Sequence, residues 1–270
     1  MQPQPIITSV NNTWIKSLKK LHSTSHRNEQ KRFLIEGQHL LEEAIATRWP
    51  LDAICFSPNW GKSNHDLLSD FAKHALYKQA LLQTVSDEIL QRLSTTHSSC
   101  PVIAIAHSPE SNLRTSNMLT LAIAAESLQD PGNVGALIRI TAAVGMSPVI
   151  LSSDSVDPTN PKVLRATAGQ WFRNPPITTD LIPFLHTQRK GQVQILAASS
   201  DGPSYWECDL TVPTIFLLGN EGAGLSVEIR AESTGSIAIP MASGVESLNV
   251  AITGALLTYE AQRQRLKTKD

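Results

Sequence analysis

The apolar residues at the start of the chain recur at helical spacing. Trp14, Ile15, Leu18 and Leu21 fall on one side of a helix, and lysines occupy its other faces. Farther along, helical patterns alternate with short apolar runs that are typical of strands. Helices are predicted at 38–48, 64–75 and 87–93, and strands at 33–35, 51–56, 76–78 and 102–106. This alternation predicts a compact α/β domain over residues 1–108.

A polar stretch without periodicity, residues 109–117, predicts a linker to a second domain at 118–270. That domain opens with a strand at 118–125 and a helix with Asn133 as N-cap that Gly145 closes. A strand at 149–151 completes a βαβ unit. Another helix begins at Pro161, strands follow at 193–197, 214–218 and 236–239, and Ser247 is predicted to cap a last helix at 248–266.

Charge is unevenly spread along the 270 residues, although the net charge is only −1. Six basic side chains and one acidic side chain occur within the first 32 residues. This segment is either an edge that binds a polyanion or a solvated basic face, and its own pattern leaves both open. A hydrophobic content of 41% is ample for folded cores.

Three widely spaced cysteines lack the spacing of metal ligands, so we expect core thiols in a reducing compartment. The N-terminus has no apolar signal core, and the longest apolar runs are too short to span a bilayer. We therefore expect a cytoplasmic protein without membrane contact.

Two glycine-containing stretches in the second half are candidates for ligand binding. The run from Gly219 to Gly224 follows a predicted strand directly, where an open α/β sheet binds ligands. Its G-x-x-G-x-G order is not the dinucleotide fingerprint, which disfavours a nicotinamide oxidoreductase. The stretch 235–261 reads as a strand, a loop of small residues and a helix. Taken alone, each stretch leaves a tight turn open as the alternative.

A third candidate is the helix that carries Asn133 and Arg139. Its other positions are mostly Val, Gly, Ala, Leu and Ile. A lone arginine there is either a side chain at the edge of a buried face or a cation aimed at a site. The local pattern leaves both alternatives open.

The three stretches together resemble the SPOUT methyltransferases, in the SpoU/TrmH branch that methylates RNA ribose 2′-hydroxyls. The resemblance rests on N-x-G-x-x-x-R from Asn133 to Arg139, on L-G-N-E-G-x-G-L at 218–225, and on I-P-M followed by E-S-L-N-V at 239–250. Residues 157–169 resemble the segment between these motifs, and residues 6–55 resemble the family's N-terminal substrate-binding domain. Residues 57–115 are the weakest part. Ser243 and Ala251 depart from the family's usual Gly and Ser.

The resemblance implies an α/β fold: a C-terminal SPOUT domain, with a mostly parallel sheet and a trefoil knot, plus a smaller N-terminal α/β substrate-binding domain. It also implies S-adenosylmethionine as cofactor without a metal, and a homodimer whose interface completes the sites. By matching positions, the catalytic set would be Asn133, Arg139, Glu221, Ser247 and Asn249. The cofactor-binding set would be Leu218, Gly219, Asn220, Gly222, Ile239, Met241 and Leu248.

The expected reaction is transfer of a methyl group to a ribose hydroxyl of structured RNA, with ribosomal RNA favoured over transfer RNA. A guanidinium keeps its charge, so Arg139 would stabilise the developing oxyanion rather than act as a free base, and a phosphate or Glu221 would help to move the proton. Arg27, Lys31 and Arg32 would hold RNA phosphates. Two alternatives stay open: a non-catalytic RNA- or ribosome-binding module of the same fold, and an RNA base methyltransferase.

Overall fold

The computed structural model describes residues 5–96, 100–109 and 119–267. Contacts between Cα atoms divide the chain into two compact units. The first contains residues up to 109 together with 159–172, and the second contains the remainder. Most of the predicted linker, 110–117, lies outside the described residues, and the predicted domain boundaries stay a prediction.

The first unit is built on a four-stranded sheet in the order β1-β4-β2-β3. β4 runs antiparallel to β1 and β2, and β2 runs parallel to β3. The strands are β1 (Arg32–Glu36), β2 (Leu51–Phe56), β3 (Leu81–Thr84) and β4 (Val102–His107). The helices of this part are α1 (Thr13–Lys20), α2 (Thr24–Gln30), α3 (Gln38–Ala46), α4 (Pro58–Ser63), α5 (His65–Lys73) and α6 (Asp87–Leu93).

The second unit is built on a parallel sheet of six strands in the order β10-β8-β9-β5-β6-β7. The strands are β5 (Leu121–Ala125), β6 (Ile150–Ser152), β7 (Ile177–Thr179), β8 (Gln194–Ala198), β9 (Thr214–Leu218) and β10 (Gly235–Ile237). The helices after residue 119 are α7 (Pro131–Val144), α8 (Pro161–Ala166), α9 (Leu181–Lys190), α10 (Val227–Ala231) and α11 (Val250–Lys267). The α/β prediction with a mostly parallel sheet is confirmed.

The segment that carries α8 packs with the first unit, although it follows β6 in sequence. Trp171 is fully buried, and its ring centroid lies 5.0 Å from those of Phe33 and Trp49. Arg165 contributes an ion pair at 3.4 Å to the buried carboxylate of Glu36. An aromatic cluster and an ion pair to a buried carboxylate therefore hold this segment in the first unit.

Several local predictions were wrong. Residues 75–77 form a 3-10 helix where a strand at 76–78 was predicted, and the helix α2 was not predicted. The strand β3 escaped prediction because only half of a four-residue run is strongly apolar. Two of the three cysteines, Cys55 and Cys100, are buried free thiols as expected, and burial raises the pKa of Cys55 to about 12.

Candidate active site

A cavity of about 690 Å³ lies at the carboxyl ends of β8, β9 and β10. This is the edge at which open parallel sheets bind ligands. The structure brings all the predicted catalytic and cofactor-binding residues except Arg139 to its walls. Three segments supply them: the start of α7, the loop after β9, and the chain between β10 and α11.

Three of the predicted catalytic side chains form a hydrogen-bonded row. Asn133 Nδ2 donates to Glu221 Oε1 at 3.0 Å. Asn249 Nδ2 donates to Asn133 Oδ1 at 2.8 Å. Each amide of the row therefore has a fixed orientation, and three segments far apart in sequence are joined at one wall of the cavity.

Glu221 is held as an ionised acceptor. Besides Asn133, its carboxylate accepts from the backbone N–H groups of Asp130 at 3.2 Å and Gln129 at 3.3 Å. Burial raises the pKa of Glu221, and these hydrogen bonds outweigh that effect, so the net pKa lies below the usual value. Glu221 is therefore an ionised carboxylate that orients Asn133 and the start of α7, and not a protonated acid.

The loop after β9 is closed by its own hydrogen bonds. Asn220 Oδ1 accepts from the N–H groups of Gly222 and Ala223, both at 2.9 Å, and Asn220 Nδ2 donates to Ser127 O at 2.8 Å. A Cβ at Gly219 would lie 2.2 Å from the carbonyl carbon of Gly224. Only glycine therefore fits at 219, for steric reasons.

Both helix caps at the site differ from the prediction. α7 begins at Pro131 with Asp130 as its N-cap, whose side chain accepts from Asn133 N at 2.9 Å. α11 begins at Val250, and Asn249 Oδ1 accepts from Ala251 N at 2.9 Å. Asn133 and Ser247 are thus not the caps. Asp130 outcompetes Asn133 because proline favours the first helical position.

Arg139 stands apart from the cavity. It lies six residues after Asn133 on α7, and at about 100° per residue its side chain points roughly 120° around the helix from Asn133. Its side chain is exposed, and within the described chain no hydrogen bond or ion pair engages it. The fold of the single chain therefore does not bring Arg139 to the hydrogen-bonded row.

The residues predicted to hold RNA divide into two kinds. Arg27 is 2% exposed, and its guanidinium donates to Leu21 O, His22 O and Thr159 Oγ1. This corrects the expectation for Arg27, because a buried guanidinium with these bonds cannot reach a phosphate. Lys31 is exposed. Arg32 is also exposed, and it pairs with Asp52 at 2.5 Å.

The end of β8 supplies a wall of the cavity that the sequence reasoning missed. Ala198, Ser199 and Ser200 line it, as does Asp130. The signal was present: a Ser-Ser-Asp-Gly run follows an apolar strand. Its relevance depends on the strand order, because β8 is the neighbour of both β9 and β10.

Comparison with known proteins decides the family. A family profile described as SpoU rRNA Methylase family matches residues 120–259, more than half of the chain. The chain belongs to the SpoU rRNA methylase family. A second profile, the MRM3-like substrate binding domain, matches residues 12–104.

Relatives and solved structures of this SpoU family protein cover nearly its whole length. A protein of Synechocystis sp. described as an uncharacterized tRNA/rRNA methyltransferase is 37% identical, over 96% of this chain and 94% of the relative. The Bacillus subtilis 23S rRNA (guanosine(2553)-2′-O)-methyltransferase RlmP is 30% identical, over 94% of this chain and 97% of the relative. The AdoMet-bound rRNA methyltransferase from Sinorhizobium meliloti superposes with a TM-score of 0.84 at 28% identity. The superposition covers 96% of this chain and 97% of that structure's chain.

The cavity of this SpoU family protein fits S-adenosylmethionine in size and chemistry. Its volume lies in the range of cofactor sites. The N–H groups of Ile239, Met241 and Leu248 have no backbone partner among the described residues, so these donors are free for a ligand. Within the same residues, no group of three or more His, Cys, Asp or Glu side chains is placed to hold a metal ion.

Proposed function

We propose that this protein transfers a methyl group from S-adenosylmethionine to a ribose 2′-hydroxyl of ribosomal RNA. The observation that carries the proposal is the row Glu221–Asn133–Asn249 on the wall of a cavity of cofactor size. Family membership supports it, as does the name of RlmP, a 2′-O-methyltransferase of 23S rRNA.

The residues of the cavity would position the reactants. When bound, S-adenosylmethionine supplies a methyl group on a sulfonium, which is already a good leaving group. Backbone groups near Leu218, Gly219 and Ile239 would hold the cofactor, together with Asn220, Gly222, Met241 and Leu248. Asn133 and Asn249, oriented by Glu221, would align the ribose, and alignment can lower such a barrier by several kcal/mol, up to about 7–11.

The ribose hydroxyl would give up its proton to a phosphate of the RNA or to the ionised Glu221, and the oxyanion that develops requires a cation or hydrogen-bond donors. Arg139 is the candidate cation, and Ser247 is a candidate donor at the cavity wall. Since Arg139 points away from its own cavity, we propose that it serves the site of the other protomer in a homodimer.

The exposed face of α11 supports a homodimer. Ile252 and Tyr259 are each 52% exposed and Leu256 is 37% exposed, and the three follow the i, i+4, i+7 spacing of one helix face. Helices α7 and α11 pack against each other, and we propose that a partner on this face also meets α7, which carries Arg139. We also propose that the chain between β9 and α11 closes the trefoil knot of the family.

The first unit would bind RNA through Lys31, Arg32 and Lys20, all three of which are exposed. No helix among the described residues is long and apolar enough to cross a membrane. Because ribosomal RNA is the proposed substrate, we place the protein in the cytoplasm.

Incubation with methyl-labelled S-adenosylmethionine and purified ribosomal or transfer RNA tests the proposal. Label should enter ribosomal RNA in preference to transfer RNA. Cofactor binding without transfer to any RNA would contradict the proposal and favour the non-catalytic RNA-binding module. Label on a base would favour the base methyltransferase.

A further inference from the structure

A second cavity, of about 510 Å³, lies within the first unit and has no part in the proposed chemistry. Residues of α1 and α2 line one side, and residues of the four strands line the other. Its floor is apolar, formed by Leu18, Leu21, Leu81 and Ile105, and the ring of Trp14 belongs to its wall.

The polar groups of this cavity are varied and partly unpartnered. Nδ1 of His26 is buried and lacks a hydrogen-bond partner among the described residues. The carboxylate of Glu29 has no hydrogen bond or ion pair with any described residue, and Gln30 adds an amide. Buried polar atoms normally have partners, so an unpartnered one in a cavity wall points to a ligand.

Two cations stand at the same cavity. Lys20 is exposed at the end of α1. Arg32 uses Nε to pair with Asp52, whose other oxygen is 2.5 Å from His107 Nε2. Asp52 therefore attracts the guanidinium by its charge, and no described residue pairs with the terminal nitrogens of Arg32, so they can meet an anion.

An apolar floor, an aromatic wall, hydrogen-bonding side chains and neighbouring cations match the parts of a nucleotide. A base has two apolar faces and a polar edge, and a phosphate follows at each side. We propose that this cavity binds one unpaired nucleotide of the RNA substrate, with its base against Trp14 and its phosphate at Lys20 and Arg32. The inference rests on the proposed function, because it assigns a subsite for the same RNA.

Glu29 gives this subsite a preference. A carboxylate accepts hydrogen bonds from the exocyclic amine of cytosine, whereas uracil offers a carbonyl oxygen at that position. The subsite therefore favours cytosine over uracil, and replacing Glu29 by an amide that can also donate removes the preference.

Binding of fluorescein-labelled ten-nucleotide oligo(rC) and oligo(rU) to the full chain tests the proposal. Lys20→Ala should lower oligo(rC) affinity about tenfold and the salt slope by about 0.7, whereas the matched control Lys19→Ala, on the same helix but outside the cavity, changes affinity about twofold or less. Glu29→Gln should abolish the cytosine preference. Trp14→Phe keeps an aromatic wall, so it should retain binding. The quenching of the protein's tryptophan fluorescence on oligonucleotide binding should be smaller than in the wild type.

Any one of three results would overturn the subsite. These are equal effects of Lys20→Ala and Lys19→Ala, an unchanged cytosine preference in Glu29→Gln, and undiminished quenching of tryptophan fluorescence in Trp14→Phe. Failure of both oligonucleotides to bind would do the same. Methyl transfer by the wild type is measured in parallel. Transfer together with a failed subsite leaves the proposed function standing, and a working subsite without any transfer refutes only the proposed function.

Discussion

At the scale of single residues, Asn249 uses both ends of its amide. Its Oδ1 accepts from Ala251 N and Ile252 N and thereby caps α11. Its Nδ2 donates to Asn133 Oδ1 across the cavity wall. The residue thus couples the start of a helix to the hydrogen-bonded row, and the two tasks can be separated by substitution.

Asn249→Asp keeps the capping oxygen but removes the donor to Asn133. We expect the free energy of unfolding to change by less than about 0.5 kcal/mol, since Asp and Asn cap helices equally well. Methyl transfer should fall at least about tenfold, because Asn133 can regain a bond only by turning its amide away from Glu221. Thermal unfolding and single-turnover transfer rates measure the two effects.

Asn249→Ala is the matched variant, because it removes both tasks. Its free energy of unfolding should fall by about 1 kcal/mol. Its rate of methyl transfer should fall as in Asn249→Asp. If Asn249→Asp transferred the methyl group at the wild-type rate, the donor to Asn133 would have no part in the reaction.

At the scale of elements, the loop from Gly219 to Gly224 depends on close backbone contact. Its ends bond to each other, with Asn220 and Gly224 exchanging both N–H···O bonds at 3.0 Å. The missing Cβ of Gly219 allows this approach. The loop is exposed at the sheet edge and adds little to the core, so we propose that its geometry serves cofactor binding.

Gly219→Ala should therefore abolish cofactor binding. The added Cβ would meet backbone atoms of Gly224 and Leu225, which cannot move aside as a side-chain end could. Titration calorimetry with S-adenosylmethionine measures the loss. Gly235→Ala is the control, since its Cβ would meet only Leu196 Cδ2 at 3.5 Å. Equal affinity in the Gly219 and Gly235 variants would refute the steric argument.

Much of the site was predictable at this scale, because the elements that carry it have strong local signals. β9 coincides with the predicted strand at 214–218, and the glycine loop follows it directly. The caps were less predictable, since Asp130 and Asn133 are both good capping residues and the position of Pro131 decides between them. The contribution of Ser199 and Ser200 required the sheet order, which depends on contacts distant in sequence.

At the scale of the whole molecule, charge patterning could not separate structural from exposed cations. Arg27 and Arg32 look alike in sequence, yet only Arg27 is buried. The segment 159–172 was also not predictable from its sequence pattern. Contacts assign it to the first unit, although the sequence predicted one domain over 118–270. Both depend on long-range packing, which periodicity does not report.

The proposed homodimer predicts that Ile252→Glu yields a monomer and loses methyl transfer, because a carboxylate in an apolar interface would be desolvated without a partner. Light scattering after size exclusion measures the mass. Val227→Glu is the control, since Val227 is 82% exposed at the first position of α10, where an acidic residue suits the helix dipole. A dimeric and active Ile252→Glu variant would contradict the proposed interface.

The proposed role of Arg139 predicts complementation between protomers. Arg139→Ala and Asn133→Ala should each be inactive alone while Arg139→Ala still binds the cofactor. Unfolded together and refolded as a mixture, they form heterodimers in which one composite site is intact. Restored transfer in the mixture supports a shared site. Transfer by Arg139→Ala alone at the wild-type rate would remove the residue from the mechanism.

On the proposed function, the methyl group goes to a ribose 2′-hydroxyl. Alkaline hydrolysis of labelled ribosomal RNA tests this most directly, because cleavage of the chain requires a free 2′-hydroxyl. We predict that the label remains in an alkali-stable dinucleotide. Label recovered in a mononucleotide with a methylated base would show that the methyl group is not on the ribose.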